Sequence, residues 1–102
     1  MIVKACKGLL LPKEDEGEVQ MNSMVFKNTT VLDLSKCNIS DKILQRGIHL
    51  FANMKELYLS NNDLTILPAS IKECHVLTKN YLKGCENLQE IRGVPPNLKG
   101  FS

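Results

Sequence analysis

The sequence predicts an α/β solenoid with short parallel strands on its concave side and a helix or irregular turns on its convex side. Three segments can be superposed on the template L-x-x-L-x-L-x-x-N/C: residues 29–37, 54–62 and 77–85. Leu59 lies 25 residues after Leu34, and Leu82 lies 23 residues after Leu59. Both offsets fall within the period of roughly 20–29 residues that characterises leucine-rich repeats. We therefore predict a leucine-rich-repeat solenoid of about three repeats plus a partial fourth.

The composition argues against several functional classes. The 102 residues are 43% hydrophobic and 24% charged, and the net charge is +2. A nearly neutral chain gives no electrostatic reason to expect a nucleic-acid partner, and no stretch approaches the roughly 18 apolar residues of a membrane helix. The sequence contains neither a phosphate-binding glycine motif nor a nucleophile elbow. We therefore expect a non-enzymatic protein with no cofactor, no nucleic-acid partner and no membrane partner.

The N-terminal region differs in composition from the repeats. Residues 13–22 are polar and mostly acidic, so they cannot bury much surface. We predict a poorly ordered N-terminal segment with an acidic loop over residues 1–22 and an incomplete repeat array over residues 23–102. The apolar run at residues 8–12 is too short for a signal-peptide core. We therefore expect a cytoplasmic location, with the nucleus as the alternative, and reduced cysteines.

The connections between the strands differ in their expected structure. In the first, Ser40 or Asp41 can cap a helix. Apolar or small residues then recur at helical spacing and predict its packed face: Ile43, Gly47, Leu50 and Met54. In the second, Pro68 suits the start of a shorter turn or helix. After Cys85, two consecutive prolines favour an extended connection, and Leu98 and Phe101 begin a new repeat.

A ladder position follows each strand, and it is occupied by Cys37, Asn62 and Cys85. We expect a small side chain to turn inward there and to satisfy backbone groups at the bend. This structural role argues against catalytic cysteines. Cys74 and His75 form no standard zinc pattern with Cys85, so we expect no metal site.

Asn80 departs from the template, because it occupies a position that normally holds a buried leucine. An unpaired buried amide costs on the order of 1–3 kcal/mol. Asn80 therefore needs a partner or a local distortion, and we expect it to weaken the third repeat.

The concave face is the predicted binding surface. Equivalent positions on neighbouring strands lie about 4.8 Å apart, so Asp33, Tyr58 and Tyr81 fall in one row. Glu56 and Lys79 fall side by side in the next row, where we expect an exposed ion pair. Tyrosine is enriched at binding hot spots, although aromatic rings that only shield the sheet are an alternative. The predicted protein-binding residues are Asp33, Ser35, Glu56, Tyr58, Ser60, Lys79, Tyr81 and Lys83.

The segments that link the strands resemble one protein family. Residues 64–74 and 81–99 are similar to the leucine-rich-repeat region of plant intracellular disease-resistance proteins, the nucleotide-binding leucine-rich-repeat receptors. The most specific part is C-x-N-L-x-E-I-x-G-x-P-P-N-L, which begins at Cys85. The similarity covers about residues 23–102. The similarity is strongest to the class of these receptors that has a Toll/interleukin-1-receptor-type N-terminal domain, as found in legumes.

This resemblance implies a role in innate immunity. The repeats would recognise a pathogen effector or a guarded host protein, and they would contact the receptor's own nucleotide-binding domain to keep it inactive. The resemblance does not imply nucleotide binding or NAD cleavage for this chain, because the sequence lacks the domains responsible. The alternatives are a general leucine-rich-repeat scaffold or adaptor, and a non-functional receptor remnant, since the fourth repeat stops part-way.

Overall fold

The computed structural model describes residues 1–4 and 23–102. Five of its strands form one sheet in the order β1-β2-β3-β5-β7, and every neighbouring pair is parallel. These strands are β1 (Ile2–Lys4), β2 (Val31–Asp33), β3 (Glu56–Tyr58), β5 (Lys79–Tyr81) and β7 (Gly100–Phe101). A second, two-stranded parallel sheet pairs β4 (Ile66–Leu67) with β6 (Glu90–Ile91). The parallel stack matches the predicted solenoid.

The strands pair in the register that the superposed template predicts. Leu32 of β2 lies opposite Leu57 of β3, and Leu57 lies opposite Asn80 of β5. Alternation along each strand directs this row into the core. The core side chains are fully buried: Leu32, Leu34, Ile39, Leu44, Ile48, Phe51, Met54, Leu57, Leu59, Leu64, Leu67, Ile71, Cys74 and Leu77.

The sheet begins at Ile2, within the segment that the sequence sets apart as poorly ordered. β1 pairs with β2 along its whole length, and Ile2 lies opposite Val31. Residues 23–28 form helix α1 (Ser23–Asn28), which the sequence did not predict, and the ring of Phe26 meets Phe51 edge to face at 5.1 Å. The acidic stretch at residues 13–22 lies outside the described residues, so the division at residue 22 stays a prediction.

The first connection contains helix α2 (Asp41–Gly47), which continues as a 3₁₀-helix over Ile48–Leu50. The predicted packed face was partly wrong, because Leu50 is 37% exposed whereas Leu44, Ile48 and Phe51 are buried. The change from α-helix to 3₁₀-helix shortens the period from about 3.6 to about 3.0 residues. The inward positions therefore shift to residues spaced by three, ending at Met54.

The later connections are shorter. Pro68 precedes a 3₁₀-helix over Ala69–Glu73, in agreement with the predicted turn or helix. The structure assigns no helix to residues 86–102, in agreement with the expected extended connection. β7 pairs with β5, so that Phe101 lies opposite Asn80.

A residue with a left-handed backbone follows each of β2, β3 and β5, three positions after the strand ends. Lys36, Asn61 and Gly84, each two positions after the second template leucine, have φ angles of 59°, 62° and 83°. Asn and Gly tolerate this region best. A Cβ atom on Gly84 would lie 2.1 Å from the Asn61 Oδ1 atom. This turn therefore requires glycine in the third repeat.

Candidate functional site

The concave row predicted from the sequence is present in the structure. Asp33 lies opposite Tyr58, and Tyr58 lies opposite Tyr81. In the adjacent row, Glu56 lies opposite Lys79. The row arises because three strands with the same template pair in parallel without any shift of register.

Tyr58 and Tyr81 form a stacked pair. Their ring centroids are 4.2 Å apart and their planes differ by 7°. Both residues are half-buried. Parallel strands separate equivalent residues by about 4.8 Å, a distance at which two aromatic rings attached in register stack on each other. The backbone register thus holds both rings in one orientation.

The expected ion pair between Glu56 and Lys79 is absent. The Tyr58 hydroxyl instead donates a hydrogen bond of 3.0 Å to the Glu56 Oε1 atom. Glu56 and Tyr58 are two residues apart on one strand, so their side chains share a face, and the hydroxyl reaches the carboxylate first. Within residues 1–4 and 23–102, the ion pair that does form joins two exposed residues, Arg92 and Glu90.

This hydrogen bond changes the acidity of Tyr58. The Glu56 carboxylate, the adjacent Tyr81 and burial all favour the neutral phenol. Together they raise the pKa of Tyr58 from 10.0 to about 12. Tyr58 therefore remains a hydrogen-bond donor throughout the physiological pH range.

We expect Tyr58 to ionise near pH 12 instead of near pH 10. The chain has two tyrosines and no tryptophan, so a Tyr81→Phe background isolates Tyr58 in an ultraviolet absorbance titration. The midpoint should stay above 10 there, because Glu56 is the largest cause of the shift. Since the folded-state pKa is raised, the stabilisation is complete below pH 10 and is lost as the pH rises through about 12.

The control for this titration is Glu56→Gln in the same background. Glutamine offers the Tyr58 hydroxyl only a neutral, weaker hydrogen-bond acceptor and carries no negative charge, so the midpoint should fall toward 10. A midpoint that does not respond to this substitution would show that Glu56 is not the cause of the shift.

The remaining concave residues lie around the tyrosine pair. Lys79 and Lys83 are exposed, whereas Ser35 and Ser60 are half-buried. Asp33 Oδ1 accepts a hydrogen bond of 3.0 Å from the Ser35 backbone N–H. Asp33 therefore also stabilises the turn after its own strand.

The ladder position of the second repeat ties two repeats together. The Asn62 Oδ1 atom accepts hydrogen bonds from the backbone N–H groups of Cys37 (3.1 Å) and Ile39 (2.9 Å). Its Nδ2 atom donates to the carbonyl oxygens of Leu34 (2.9 Å) and Leu59 (2.8 Å). Three of these groups belong to the preceding repeat. One amide therefore satisfies the bends of both repeats.

Cys85 repeats part of this pattern. Its thiol donates to the Leu59 carbonyl oxygen at 3.1 Å, across 26 residues, just as Asn62 donates to Leu34. Cys74 is likewise buried, and its thiol donates to the Ile48 carbonyl oxygen at 3.6 Å. Burial raises the pKa of the Cys74 thiol to about 11, which makes it unreactive.

The expectation of reduced cysteines is correct for Cys74 and Cys85, which are free, and wrong for Cys37, which is disulfide-bonded. Cys37 is only half-buried. Cys37 thus occupies the ladder position at the bend after β2 and also forms a disulfide bond.

Asp41 has a role that sequence reasoning missed. Ser40 caps α2 by accepting a hydrogen bond from the Ile43 N–H, whereas the Asp41 carboxylate reaches the next repeat. It accepts from the backbone N–H groups of Thr65 (2.8 Å) and Ile66 (3.1 Å), and from the Thr65 hydroxyl. Burial alone would raise the pKa of Asp41, but these hydrogen bonds lower it. Asp41 precedes Thr65 by 24 residues, and this offset of about one repeat is the signal that could have revealed the pair.

Within residues 1–4 and 23–102, no group of three or more His, Cys, Asp or Glu side chains is placed to hold a metal ion. Among the same residues, no helix has the length and apolar character needed to cross a membrane.

Comparison with known proteins gives two similarities. The family model described as Leucine Rich Repeat matches residues 28–49 and, separately, residues 53–74. The chain is also 37% identical over 67 residues to the TMV resistance protein N of Nicotiana glutinosa. That match covers 66% of this chain and 6% of the relative, so the chain spans a small part of the relative's length. No solved structure gives a significant match.

Proposed function

This chain belongs to the leucine-rich-repeat family, and we propose that it is the non-enzymatic protein-recognition module of a plant intracellular immune receptor. The 37% identity to the TMV resistance protein N supports a role in plant defence. In this proposal the chain acts in the cytoplasm, with the nucleus as the alternative. Its partner is a protein: a pathogen effector, a guarded host protein, or the nucleotide-binding domain that it holds inactive.

The observation that carries this proposal is the stacked tyrosine pair on the concave face. Tyr58 and Tyr81 have nearly parallel, stacked rings with centroids 4.2 Å apart and lie in register on neighbouring strands. Large aromatic rings fixed in one orientation lose little conformational entropy on binding, and tyrosine is frequent among binding hot spots. Both residues are half-buried, so part of each side chain is packed and part remains accessible to a partner.

The proposal is tested with the paired substitution Tyr58→Ala and Tyr81→Ala. The purified chain is used to select binders from a displayed library of plant and pathogen proteins, and each binder is re-measured with pure components. We expect the paired substitution to weaken binding by about 2 kcal/mol or more, because hot-spot aromatics contribute on this scale. In leaf tissue, the same substitutions in a receptor that contains this region should abolish the cell-death response to its effector.

A matched control removes two apolar side chains from the convex side. Leu50 and Val76 are 37% and 40% exposed and lie in the connections between strands. Leu50→Ala together with Val76→Ala should leave binding and cell death unchanged. If the convex control and the tyrosine variant behave alike, the concave face is not the recognition surface.

A further inference from the structure

The Tyr58 ring has one face turned toward β5 and the other turned toward β2. Tyr81 covers the first face at a centroid distance of 4.2 Å, and among the described residues no other ring and no cation stacks on Tyr58. On β2, Asp33 lies opposite Tyr58, and Val31 is the next residue of that strand on the same face of the sheet. Both side chains extend much less far from the backbone than a tyrosine ring. The outer part of the second face of Tyr58 therefore forms a step with Asp33 at its base.

Two carboxylates border this step. The Glu56 Oε1 atom lies 3.0 Å from the Tyr58 hydroxyl oxygen, at the tip of the ring, and Asp33 lies at the base. Asp33 Oδ1 is used internally, because it accepts from the Ser35 N–H. In the described part of the chain, the Glu56 Oε2 and Asp33 Oδ2 atoms accept no hydrogen bond. Both residues are half-buried, so two partly desolvated negative charges lie beside an aromatic face.

The neighbouring lysines do not pair with these carboxylates. Lys79 lies opposite Glu56 on β5, and Lys4 lies opposite Asp33 on β1. Within residues 1–4 and 23–102, neither lysine forms an ion pair with them. Lys79 is also separated from Asp33 by the whole of β3, because the strand order is β2-β3-β5. The step therefore has two carboxylates without a cation, and a binding partner can supply one.

From this arrangement we infer that the concave face binds an arginine side chain of its protein partner, which stacks on the β2 side of Tyr58 and pairs with Asp33 and Glu56; this inference rests on the proposed function. The planar guanidinium both stacks on aromatic rings and donates several hydrogen bonds to carboxylates. It continues the stack of the two tyrosine rings, and the free carboxylate oxygens accept from its edges. A lysine ammonium balances the charge but has neither a flat surface nor a fork of donors. The contact therefore favours arginine over lysine.

The probe for this inference is the tripeptide acetyl-Gly-Arg-Gly-amide, titrated into the full chain. One control peptide contains citrulline, which has the shape of arginine without its charge, and the other contains lysine. The chain has two tyrosines, so isotope labelling of tyrosine gives two sets of ring signals in NMR spectra, and Tyr81→Phe assigns them. The Tyr58 signals should shift with the arginine peptide and stay unchanged with the citrulline peptide. The lysine peptide should bind about threefold more weakly, and salt should weaken the binding of both cations.

Three variants locate the site. Asp33→Asn and Glu56→Gln should each weaken binding of the arginine peptide by about threefold to fivefold, because each removes one charge of a partly exposed ion pair. Both substitutions keep an oxygen that accepts the internal hydrogen bond, and circular dichroism verifies that the fold is retained. The matched control is Glu86→Gln, which removes an exposed carboxylate from the connection after β5. It should leave the binding unchanged.

The inference is overturned if the arginine peptide does not shift the Tyr58 signals, or if the citrulline or lysine peptide binds equally tightly. It is also overturned if Asp33→Asn and Glu56→Gln have no more effect than Glu86→Gln. Failure of the proposed function gives a different result. A protein partner that depends on Tyr58 and Tyr81 but binds the two carboxylate variants as tightly as the unchanged chain leaves the recognition role intact and eliminates the arginine contact. Absence of any tyrosine-dependent partner would instead count against the recognition role.

Discussion

Asn62→Ala is expected to lower the free energy of unfolding by about 3–4 kcal/mol, a large share of the stability of an ordinary domain. Asn62 is 4% exposed and makes hydrogen bonds of 2.8–3.1 Å with four backbone groups. Alanine leaves these groups without that partner, and each unsatisfied buried group costs about 1–3 kcal/mol before water or relaxation compensates. Urea denaturation followed by circular dichroism measures the loss.

Two comparisons make the Asn62 experiment specific. Asn87→Ala removes an exposed amide that makes a hydrogen bond of 2.7 Å to Asp63, and it should cost less than about 0.5 kcal/mol. Asn62→Cys introduces the residue found at the other ladder positions, where Cys85 keeps one bond to the preceding repeat. Its cost should lie between those of the other two variants. Equal stability of Asn62→Ala and Asn87→Ala would refute the ladder role.

Asn80→Leu is expected to act in the opposite direction and to stabilise the chain by about 2–3 kcal/mol. Asn80 is 1% exposed, and neither its Nδ2 nor its Oδ1 atom has a hydrogen-bond partner in the described part of the chain. Leucine removes the desolvated amide and buries additional apolar surface. The site lies between Leu57 and Phe101, where the repeat template requires leucine.

The urea midpoint of Asn80→Leu is best compared with that of Asn80→Ala. Alanine removes the amide without filling the space, so its effect should be close to neutral. Asn62→Leu provides the contrast, because the same change at the ladder should destabilise. A lower midpoint for Asn80→Leu than for the unchanged chain would mean that the amide has a partner, such as a bound water.

The sequence predicted the sheet well because one short template determines both the inward positions and the lateral register. The rows that contain Tyr58 and Tyr81 followed directly from the superposed segments. The unfavourable burial of the Asn80 amide could also be predicted, because the sequence alone shows asparagine where the template has a buried leucine. These features depend on local pattern alone.

The features that sequence reasoning missed depend on side-chain geometry over longer distances. Glu56 was predicted to pair with Lys79, but the choice between a lysine across the strands and a hydroxyl along the strand depends on side-chain rotamers. The buried face of α2 shifted because the helix tightens at Ile48. The contact between Asp41 and Thr65 spans 24 residues and follows from no local rule.

The constant register of the strands has a consequence for how the sequences of repeat proteins can vary. Equivalent template leucines of successive repeats are separated by 25 and then 23 residues, yet the concave rows remain aligned. The convex connections therefore accommodate the difference in length. Insertions, deletions and unequal recombination can therefore alter the outer side without refolding the inner one. Single substitutions in the rows can then change the chemistry of the concave surface on an unchanged scaffold.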